Sequence, residues 1–337
     1  MKKNIFTPLL AIFLLCSGML MAQQTPANRA VSTIVADVLA QLPAEKQSTY
    51  NNLMKELSST GIDGVKNLVE MMYPPGKGDN AAVEYALSGL AYYASGDEIL
   101  KSKIEQAYLG ALDITEERET KAFIIRQLAV LGSDATIHKL AAFLTDDALS
   151  SPAACTIASI GGEAAGKALQ MALMRRNARS EEAQRNIIQA LGDVAPTEGT
   201  EGLLKTMLNT NDLKTKTVVL KALGRTGTKA SLPDLAAGAA AVGYKDDPTG
   251  AADAYVQLIK RVCEQGDTKE ASSAAQSLMK NATKAGIMQM RIASLEVVFA
   301  TQADKLKTLK TALRDPDKSY RNAALRYASG YADHTMY

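Results

Sequence analysis

Four segments decide the fold: Gln127-Leu-Ala-Val-Leu-Gly132, Thr156-Ile-Ala-Ser-Ile-Gly161, Ile188-Gln-Ala-Leu-Gly192 and Leu220-Lys-Ala-Leu-Gly224. Their final glycines recur at a nearly constant interval along the chain. Each glycine follows an amphipathic helical pattern, and glycine readily adopts the left-handed conformation that closes a helix. We therefore expect each of these glycines to end a helix in that conformation.

A second helical pattern follows each glycine after a short turn. These patterns cover 134–144, 163–174, 197–208 and 229–241. Leucines four residues apart, such as Leu140 and Leu144, mark an apolar stripe in the first three. No segment shows the period-two alternation of a strand. The repeated helix pairs predict an all-α solenoid, a superhelix of stacked antiparallel helix pairs. The alternative, a globular helical bundle, fits the regular glycine spacing less well.

Helix starts are marked by potential capping residues. Ser151-Pro152 and Asp315-Pro316 each place a capping side chain before a first-turn proline. The segment Asp267-Thr-Lys-Glu270 fits an acidic variant of the capping box. We expect these residues to cap the helices that follow them.

The same register, extended along the chain, predicts four regions. They are a signal peptide at 1–22, an N-terminal helical cap at 23–79, the repeats at 80–242, and longer repeats at 243–337 that end on an incomplete one. Helices are expected at about 29–42, 44–60, 62–73, 80–95, 97–112, 115–131, 134–145, 150–160, 162–175, 180–191, 197–209, 211–224, 229–242, 249–265, 268–283, 285–300 and 303–314. A last helix opens near 315 without a partner, which favours a fragment or an end covered by another domain or chain.

The N-terminus has the layout of a secretory signal. Met1-Lys2-Lys3 precedes an apolar run from Ile5 to Met21, and a polar stretch begins after Ala22. The apolar run is short for a membrane-spanning helix of about 20 residues, which disfavours an uncleaved anchor. Leu15 before Cys16 disfavours a lipoprotein signal. These features predict export to the periplasm or cell envelope of a Gram-negative bacterium.

The charge balance disfavours nucleic acid as a partner. The chain has 38 Lys and Arg residues and 36 Asp and Glu residues. Lys2 and Lys3 leave with the signal, so the predicted mature chain is neutral. Nucleic-acid binding depends largely on a basic surface that neutralises phosphates.

Two cysteines remain after the signal, Cys155 and Cys263. They lie more than three repeats apart in the predicted register. Because each helix is packed about 8 to 10 Å from the next, the distance between their Cα atoms should exceed the limit for a disulfide. We expect two unpaired thiols, both mostly buried.

The Leu-Gly helix end, the short second helix and the short repeat period resemble the HEAT-like repeats of phycocyanobilin lyases. The period is shorter than that of ordinary HEAT and armadillo units. The resemblance is clear over 115–242 and weaker over 80–112 and 249–335. It implies a HEAT/armadillo-like fold, and such repeats serve many unrelated functions.

A looser resemblance concerns the helical N-terminal region of exported proteins of the 3-keto-disaccharide hydrolase type. It rests on the Met-Ala-Gln-Gln end of the signal, on Val83-Glu-Tyr-Ala-Leu-Ser-Gly89 and on Thr120-Lys-Ala-Phe-Ile-Ile-Arg126. The jelly-roll domain of those proteins has no counterpart here, so no hydrolase residue is carried over.

No motif predicts a catalytic, cofactor-binding or metal site. The two histidines, His138 and His334, lack the His-Glu pairs of HEAT-repeat hydroxylases. The segment Gly76-Lys-Gly78 resembles a dinucleotide fingerprint but follows a helix instead of a strand. The basic cluster Arg175, Arg176, Arg179 and Arg185 is interpreted as a solvated loop. Tyr85 is expected in the core, with Tyr92 or Tyr93 exposed.

These observations predict an exported, non-catalytic scaffold that mediates protein–protein interaction through the concave row of second helices. His138, Lys167, Gln170 and Lys205 are the candidate binding residues on that row. A protein or peptide partner is expected, and no cofactor, nucleic acid or membrane. The alternative is the accessory N-terminal region of a larger secreted sugar-processing hydrolase, whose catalytic domain lies downstream or on a separate chain.

Overall fold

The computed structural model describes residues 30–175 and 180–331. Within these ranges the chain forms α-helices, short 3₁₀ turns and loops, and it contains no strand. The predicted all-α solenoid is confirmed. The predicted signal peptide at 1–22 lies outside the described residues. No helix in the described ranges has both the length and the apolar character of a bilayer-crossing segment.

The described residues form eighteen α-helices. They are α1 (Val31–Leu39), α2 (Gln47–Ser59), α3 (Gly61–Glu70), α4 (Ala81–Ala94), α5 (Glu98–Ile114), α6 (Arg118–Leu131), α7 (Asp134–Leu140), α8 (Ser150–Ile160), α9 (Gly162–Met174), α10 (Glu181–Asp193), α11 (Thr200–Thr206), α12 (Leu213–Thr226), α13 (Leu232–Ala241), α14 (Ala251–Glu264), α15 (Thr268–Ala285), α16 (Met288–Thr301), α17 (Lys305–Ala312) and α18 (Lys318–Ser329). Two 3₁₀ turns, Ala141–Thr145 and Lys229–Ser231, extend α7 and precede α13.

The helices pack in two layers. The even-numbered helices, which we call the first-helix layer, contact one another in succession from α2 to α18. The odd-numbered helices form the second-helix layer and contact one another in succession from α1 to α11. Beyond α11 they pack mainly against the first-helix layer. Each helix therefore packs on helices close to it in sequence, as in a linear array.

The apolar core follows this array. One continuous cluster of buried side chains runs from Ile34 in α1 to Val298 in α16. A second, smaller cluster joins α16, α17 and α18 and includes Phe299 and Tyr320. Met279 in α15 packs against both clusters. The core is therefore divided near the C-terminal end of the array.

The repeated glycines have a different role from the one expected. Of the four, only Gly161 has a positive φ, at +73°. Gly132 has a φ of −67°, and Gly192 and Gly224 lie inside α10 and α12. The expectation of a left-handed helix end was therefore wrong at Gly132, Gly192 and Gly224.

The helical glycines mark places where successive first helices come very close. A Cβ added to Gly192 would lie 3.0 Å from the Cα of Ala222 in the next first helix. A Cβ added to Gly224 would lie 2.9 Å from the carbonyl oxygen of Ala254, again in the next first helix. Since these neighbours are backbone atoms, a side chain larger than hydrogen requires the two helices to separate.

The capping predictions were also wrong in detail. Helix α8 begins at Ser150, so Ser151 lies inside its first turn, and no side chain caps the helix. Helix α18 is capped by Asp317, whose carboxylate accepts from two backbone N–H groups, while Asp315 pairs with an arginine. Asp267 precedes α15 but does not cap it, because its carboxylate accepts from Lys229 Nζ at 2.8 Å.

Both cysteines of the described chain are unpaired, as expected. Their expected burial is wrong for Cys155, which is exposed on α8 because Ala153, Ala154 and Ile157 form the buried face of that helix. Cys263 is half-buried, and burial raises the pKa of its thiol.

Two glycine-to-alanine substitutions test the close approach. Gly224→Ala should lower the free energy of unfolding by about 1 to 2 kcal/mol, because the added methyl overpacks the contact with α14. Gly110→Ala is the matched control, since Gly110 lies inside α5 with no atom within 4 Å of an added Cβ. It should raise stability by roughly 0.5 to 1 kcal/mol. Urea unfolding followed by circular dichroism measures both, and a stabilised Gly224→Ala variant would contradict the packing argument.

Candidate functional site

The four candidate binding residues lie on three consecutive members of the second-helix layer. His138 is in α7, Lys167 and Gln170 are in α9, and Lys205 is in α11. His138 is exposed, and Lys167 is an exposed side chain whose Nζ lies 2.5 Å from Glu163 on the same helix. The sequence therefore identified residues of one layer. Their binding role stays a prediction.

Two of the four residues also hold neighbouring repeats together. The buried Gln170 donates from Nε2 to the carbonyl oxygen of Glu198 at 2.9 Å and to Thr200 Oγ1 at 2.5 Å. Lys205 Nζ donates to the carbonyl oxygen of Ala230 at 3.0 Å and pairs with Asp234 at 2.8 Å. Both side chains reach from one second helix to the start of the next.

Glu105 makes the same kind of connection, which sequence reasoning missed. Its carboxylate is buried in α5 and accepts from the Ser133 backbone N–H at 2.8 Å. It also accepts from the hydroxyls of Ser133 and Thr136, at 2.7 and 2.6 Å. These donors lie at the start of α7, so one carboxylate joins two repeats and supports a helix N-terminus.

Glu201 repeats this arrangement between α11 and α13. It accepts from the backbone N–H and hydroxyl of Thr228 at 2.9 and 2.8 Å, and from the Ser231 hydroxyl. Burial alone would raise the pKa of Glu201, but these hydrogen bonds outweigh it and hold the pKa below its ordinary value. A carboxylate kept ionised by these donors is suited to structural bonding rather than proton exchange at neutral pH. The available sequence signal is a Ser/Thr pair three residues apart at the start of a second helix or of the turn before it.

A large cavity lies at the C-terminal end of the described chain. It has a volume of about 640 Å³ and is lined by α15, α16, α17 and the start of α18. Its apolar lining includes the buried Leu295, Val298 and Ala312, together with the half-buried Met279. Polar side chains surround this floor, among them Gln276, Gln302, Asp304, Lys307, Thr308 and Thr311. We call this feature the terminal cavity.

Several side chains of α17 that line the terminal cavity are short. Ala303 precedes this eight-residue helix, and Thr308, Thr311 and Ala312 lie on it. Short side chains at these positions leave the space between α15 and α17 open. The cavity lies where Met279 contacts both core clusters, so the gap in packing coincides with the division of the core.

A charged and aromatic network closes one end of the terminal cavity. Arg291, near the start of α16, pairs with Asp315, and the two side chains are only 15% and 14% exposed. The guanidinium carbon of Arg291 lies 4.3 Å from the centre of the Tyr320 ring. Arg291 Nε is buried and has no acceptor among the described residues. The network therefore holds a cation beside the cavity with one donor unused.

The pKa values of the acid Asp315 and the phenol Tyr320 in this network are shifted in opposite directions. Burial would raise the pKa of Asp315, but the Asp317 N–H and the Arg291 guanidinium hold it below its ordinary value. Burial raises the pKa of Tyr320, whose hydroxyl lies 3.3 Å from Met279 Sδ. At neutral pH the network therefore contains an ionised acid, a cation and a neutral phenol.

Two tyrosines of α4, Tyr85 and Tyr92, are both exposed. Tyr85 is 39% exposed, which corrects its expected core position, and Tyr92 is 73% exposed. Both hydroxyls lie near Tyr50, whose hydroxyl donates to the Gly89 carbonyl at 2.9 Å. Tyr50 and Met54 of α2 contact α4 at Gly89. Their side chains fill the space on the inward face of α4 at this point, and Tyr85 lies outside that face.

Arg185 was expected in a solvated basic loop but lies inside α10. Arg185 pairs with Glu181 and Asp212 at 3.6 and 3.3 Å. Arg176, Arg179 and His334 lie outside the described residues. Among the described residues, no group of three or more His, Cys, Asp or Glu side chains is arranged to hold a metal ion.

Comparisons with known proteins give only distant structural likenesses. No protein-family model matches the chain, and no curated protein matches it. The crystal structure of an engineered protein is 18% identical, covers 88% of this chain and 98% of its own, and has a TM-score of 0.38. The structure of human deoxyhypusine hydroxylase in complex with glycerol is 13% identical, covers 89% of this chain and 95% of its own, and has a TM-score of 0.25. With TM-scores this low, neither protein supports an inference about function.

The pH dependence of stability tests the network of the terminal cavity. Because the pKa of Asp315 is lower in the folded chain than in the unfolded one, its ionised form stabilises the fold above about pH 4. This stabilisation is lost as the pH falls through the lowered folded pKa. We expect Asp315→Asn to cost about 2 kcal/mol at pH 7 and progressively less as the pH approaches 2.

Urea unfolding at both pH values measures this difference. The control is Asp246→Asn in an exposed loop, which should change little at either pH. A deficit of Asp315→Asn that is equal at pH 7 and pH 2 would show that the charge of Asp315 does not stabilise the fold.

Proposed function

We propose that this chain is an exported, non-catalytic scaffold of HEAT-like repeats that binds a protein partner. The observation that supports the proposal is the linear array. Each helix packs on helices near it in sequence, so the second helices from α1 to α11 follow one another in one extended row. Extended and shallow surfaces suit protein segments better than compact small molecules.

The relation to HEAT-like repeats of the phycocyanobilin-lyase type is part of this proposal. It rests on the Leu-Gly segments, the short second helices and the short, nearly constant repeat period. The close approach of first helices at Gly192 and Gly224 gives these segments a physical reason to recur. Export to the periplasm or cell envelope rests on the signal-like residues 1–22.

The non-catalytic part of the proposal rests on how the buried Glu105 and the half-buried Glu201 and Asp315 are used. Glu105 and Glu201 accept hydrogen bonds from the next repeat, and Asp315 pairs with Arg291. An acid or base for catalysis needs a reachable proton and a pKa near the working pH. The lowered pKa values of Glu201 and Asp315 favour permanently ionised, structural carboxylates.

Site-specific photo-crosslinking tests the proposed partner surface. A photoreactive amino acid replaces His138, which is exposed on the second helix α7, in purified residues 23–337. We expect it to form a discrete adduct with one envelope protein, and unlabelled chain should compete for that adduct. Lys167 provides a second position on the same layer.

The matched control is Arg126, exposed on the first helix of the same repeat. The proposal expects no competed adduct from this position, because it belongs to the other layer. Equal adducts from Arg126 and His138 would indicate nonspecific contact, and no adduct from His138 or Lys167 would refute a partner on the second-helix layer.

A further inference from the structure

The terminal cavity has the size and floor of a pocket for one aliphatic side chain with its flanking groups. Its volume of about 640 Å³ lies within the range of roughly 300 to 1,000 Å³ typical of ligand pockets. Leu295, Val298 and Ala312 form a buried apolar surface, and the flexible Met279 borders it. Such a floor favours an apolar group over a sugar or a phosphate.

Polar groups around the floor include both acceptors and donors. Gln276 and Gln302 each donate from Nε2 to the Ser272 hydroxyl, at 3.1 and 2.9 Å. This orientation leaves the carbonyl oxygen of each amide as an acceptor. The ammonium group of Lys307, which also lines the cavity, is a donor. A peptide backbone carries the matching pair, an N–H donor and a C=O acceptor, at every residue.

The charges that line the terminal cavity are balanced. Arg291 and Lys307 are positive, and Asp304 and Asp315 are negative. Asp304 already accepts from the Lys307 backbone N–H at 2.8 Å, and Asp315 accepts from Arg291 and from the Asp317 N–H. Positive and negative charges are equal in number in the cavity lining. An uncharged segment therefore matches the cavity best.

We infer that the terminal cavity binds an uncharged peptide segment whose aliphatic side chain lies on Leu295, Val298 and Ala312, with a backbone N–H donating to the amide carbonyl oxygen of Gln276. This inference rests on the proposed function, because it names a site and a chemistry for the protein partner. The same chemistry is available from a free peptide, and the experiments separate the two sources.

Methyl NMR titration of residues 23–337 provides the direct test, with Met279, Leu295 and Val298 as reporters. The probe is N-acetyl-leucine N-methylamide, an uncharged residue with a peptide group on each side. For a ligand of this size we expect saturable shifts with a Kd on the order of 1 mM. The glycine analogue should bind at least about tenfold more weakly, because it lacks the buried side chain.

Two variants separate the cavity from general surface binding. Ala312→Leu fills the floor and should weaken probe binding by about tenfold or more. Ala285→Leu is the matched control, because Ala285 is exposed at the end of α15 and does not line the cavity. Since Ala312→Leu can disturb folding, the exposed Gln276→Ala serves as a second variant. It should weaken the leucine probe severalfold and leave binding of 3-methylbutanol, which lacks peptide groups, unchanged.

The outcomes are distinguishable. Probe binding that persists in folded Ala312→Leu, or tighter binding of N-acetyl-leucine carboxylate than of the amide, would overturn the inference. If a partner crosslinks at His138 but no probe shifts the reporters, the inference fails while the proposed function stands. If the probe binds and no partner crosslinks at His138 or Lys167, the cavity is supported as a peptide site, and the partner surface proposed on α7 and α9 is refuted.

Discussion

The close approach of successive first helices is the constraint on which the array depends. At Gly192 and Gly224 the next helix presents Ala222 and Ala254 so closely that no Cβ fits between them. Small residues on both sides fix the separation and the register of neighbouring pairs. The buried leucine and isoleucine side chains around each contact then pack at that separation. A change at one contact therefore alters how the next repeat is held, and the same geometry occurs at two successive contacts, α10 with α12 and α12 with α14.

Successive helices of the second-helix layer are connected mainly by hydrogen bonds and ion pairs. Glu105, Gln170 and Glu201 each reach the start of the following second helix and satisfy its donors or hydroxyls. Ion pairs such as Lys205–Asp234 connect the same repeats. This division has a physical reason, because several second helices are only seven to ten residues long and cannot bury enough apolar surface against each other. Polar side chains therefore fix how successive second helices are placed against each other. Ion pairs among them also reduce the number of unpaired charges on this surface.

The fold could be predicted from the sequence because it depends on local periodicity. Glycine spacing and apolar stripes located the helix pairs to within a few residues. They could not reveal that Gly192 and Gly224 lie at contacts between helices instead of at helix ends. Capping was misassigned at Asp315 because the decisive partner, Arg291, lies 24 residues away. The terminal cavity could not be predicted, since its lining runs from Gln276 to Tyr320 on four helices and follows no single helical period.

The position of the terminal cavity follows from the way the array changes at its end. Helix α15 packs extensively on α16, but the short α17 contacts mainly α18. It turns the short side chains of Thr308, Thr311 and Ala312 towards the cavity, so the space between α15 and α17 is left unfilled. The Arg291–Asp315 pair and the Tyr320 ring hold the start of α18 across one side of that space. Burying such a pair is costly unless further hydrogen bonds satisfy it, and Arg291 Nε is left without one among the described residues. The apolar floor and this unsatisfied donor distinguish the terminal cavity from the second helices α9 and α11, where polar side chains such as Gln170 and Lys205 already bond to the next repeat.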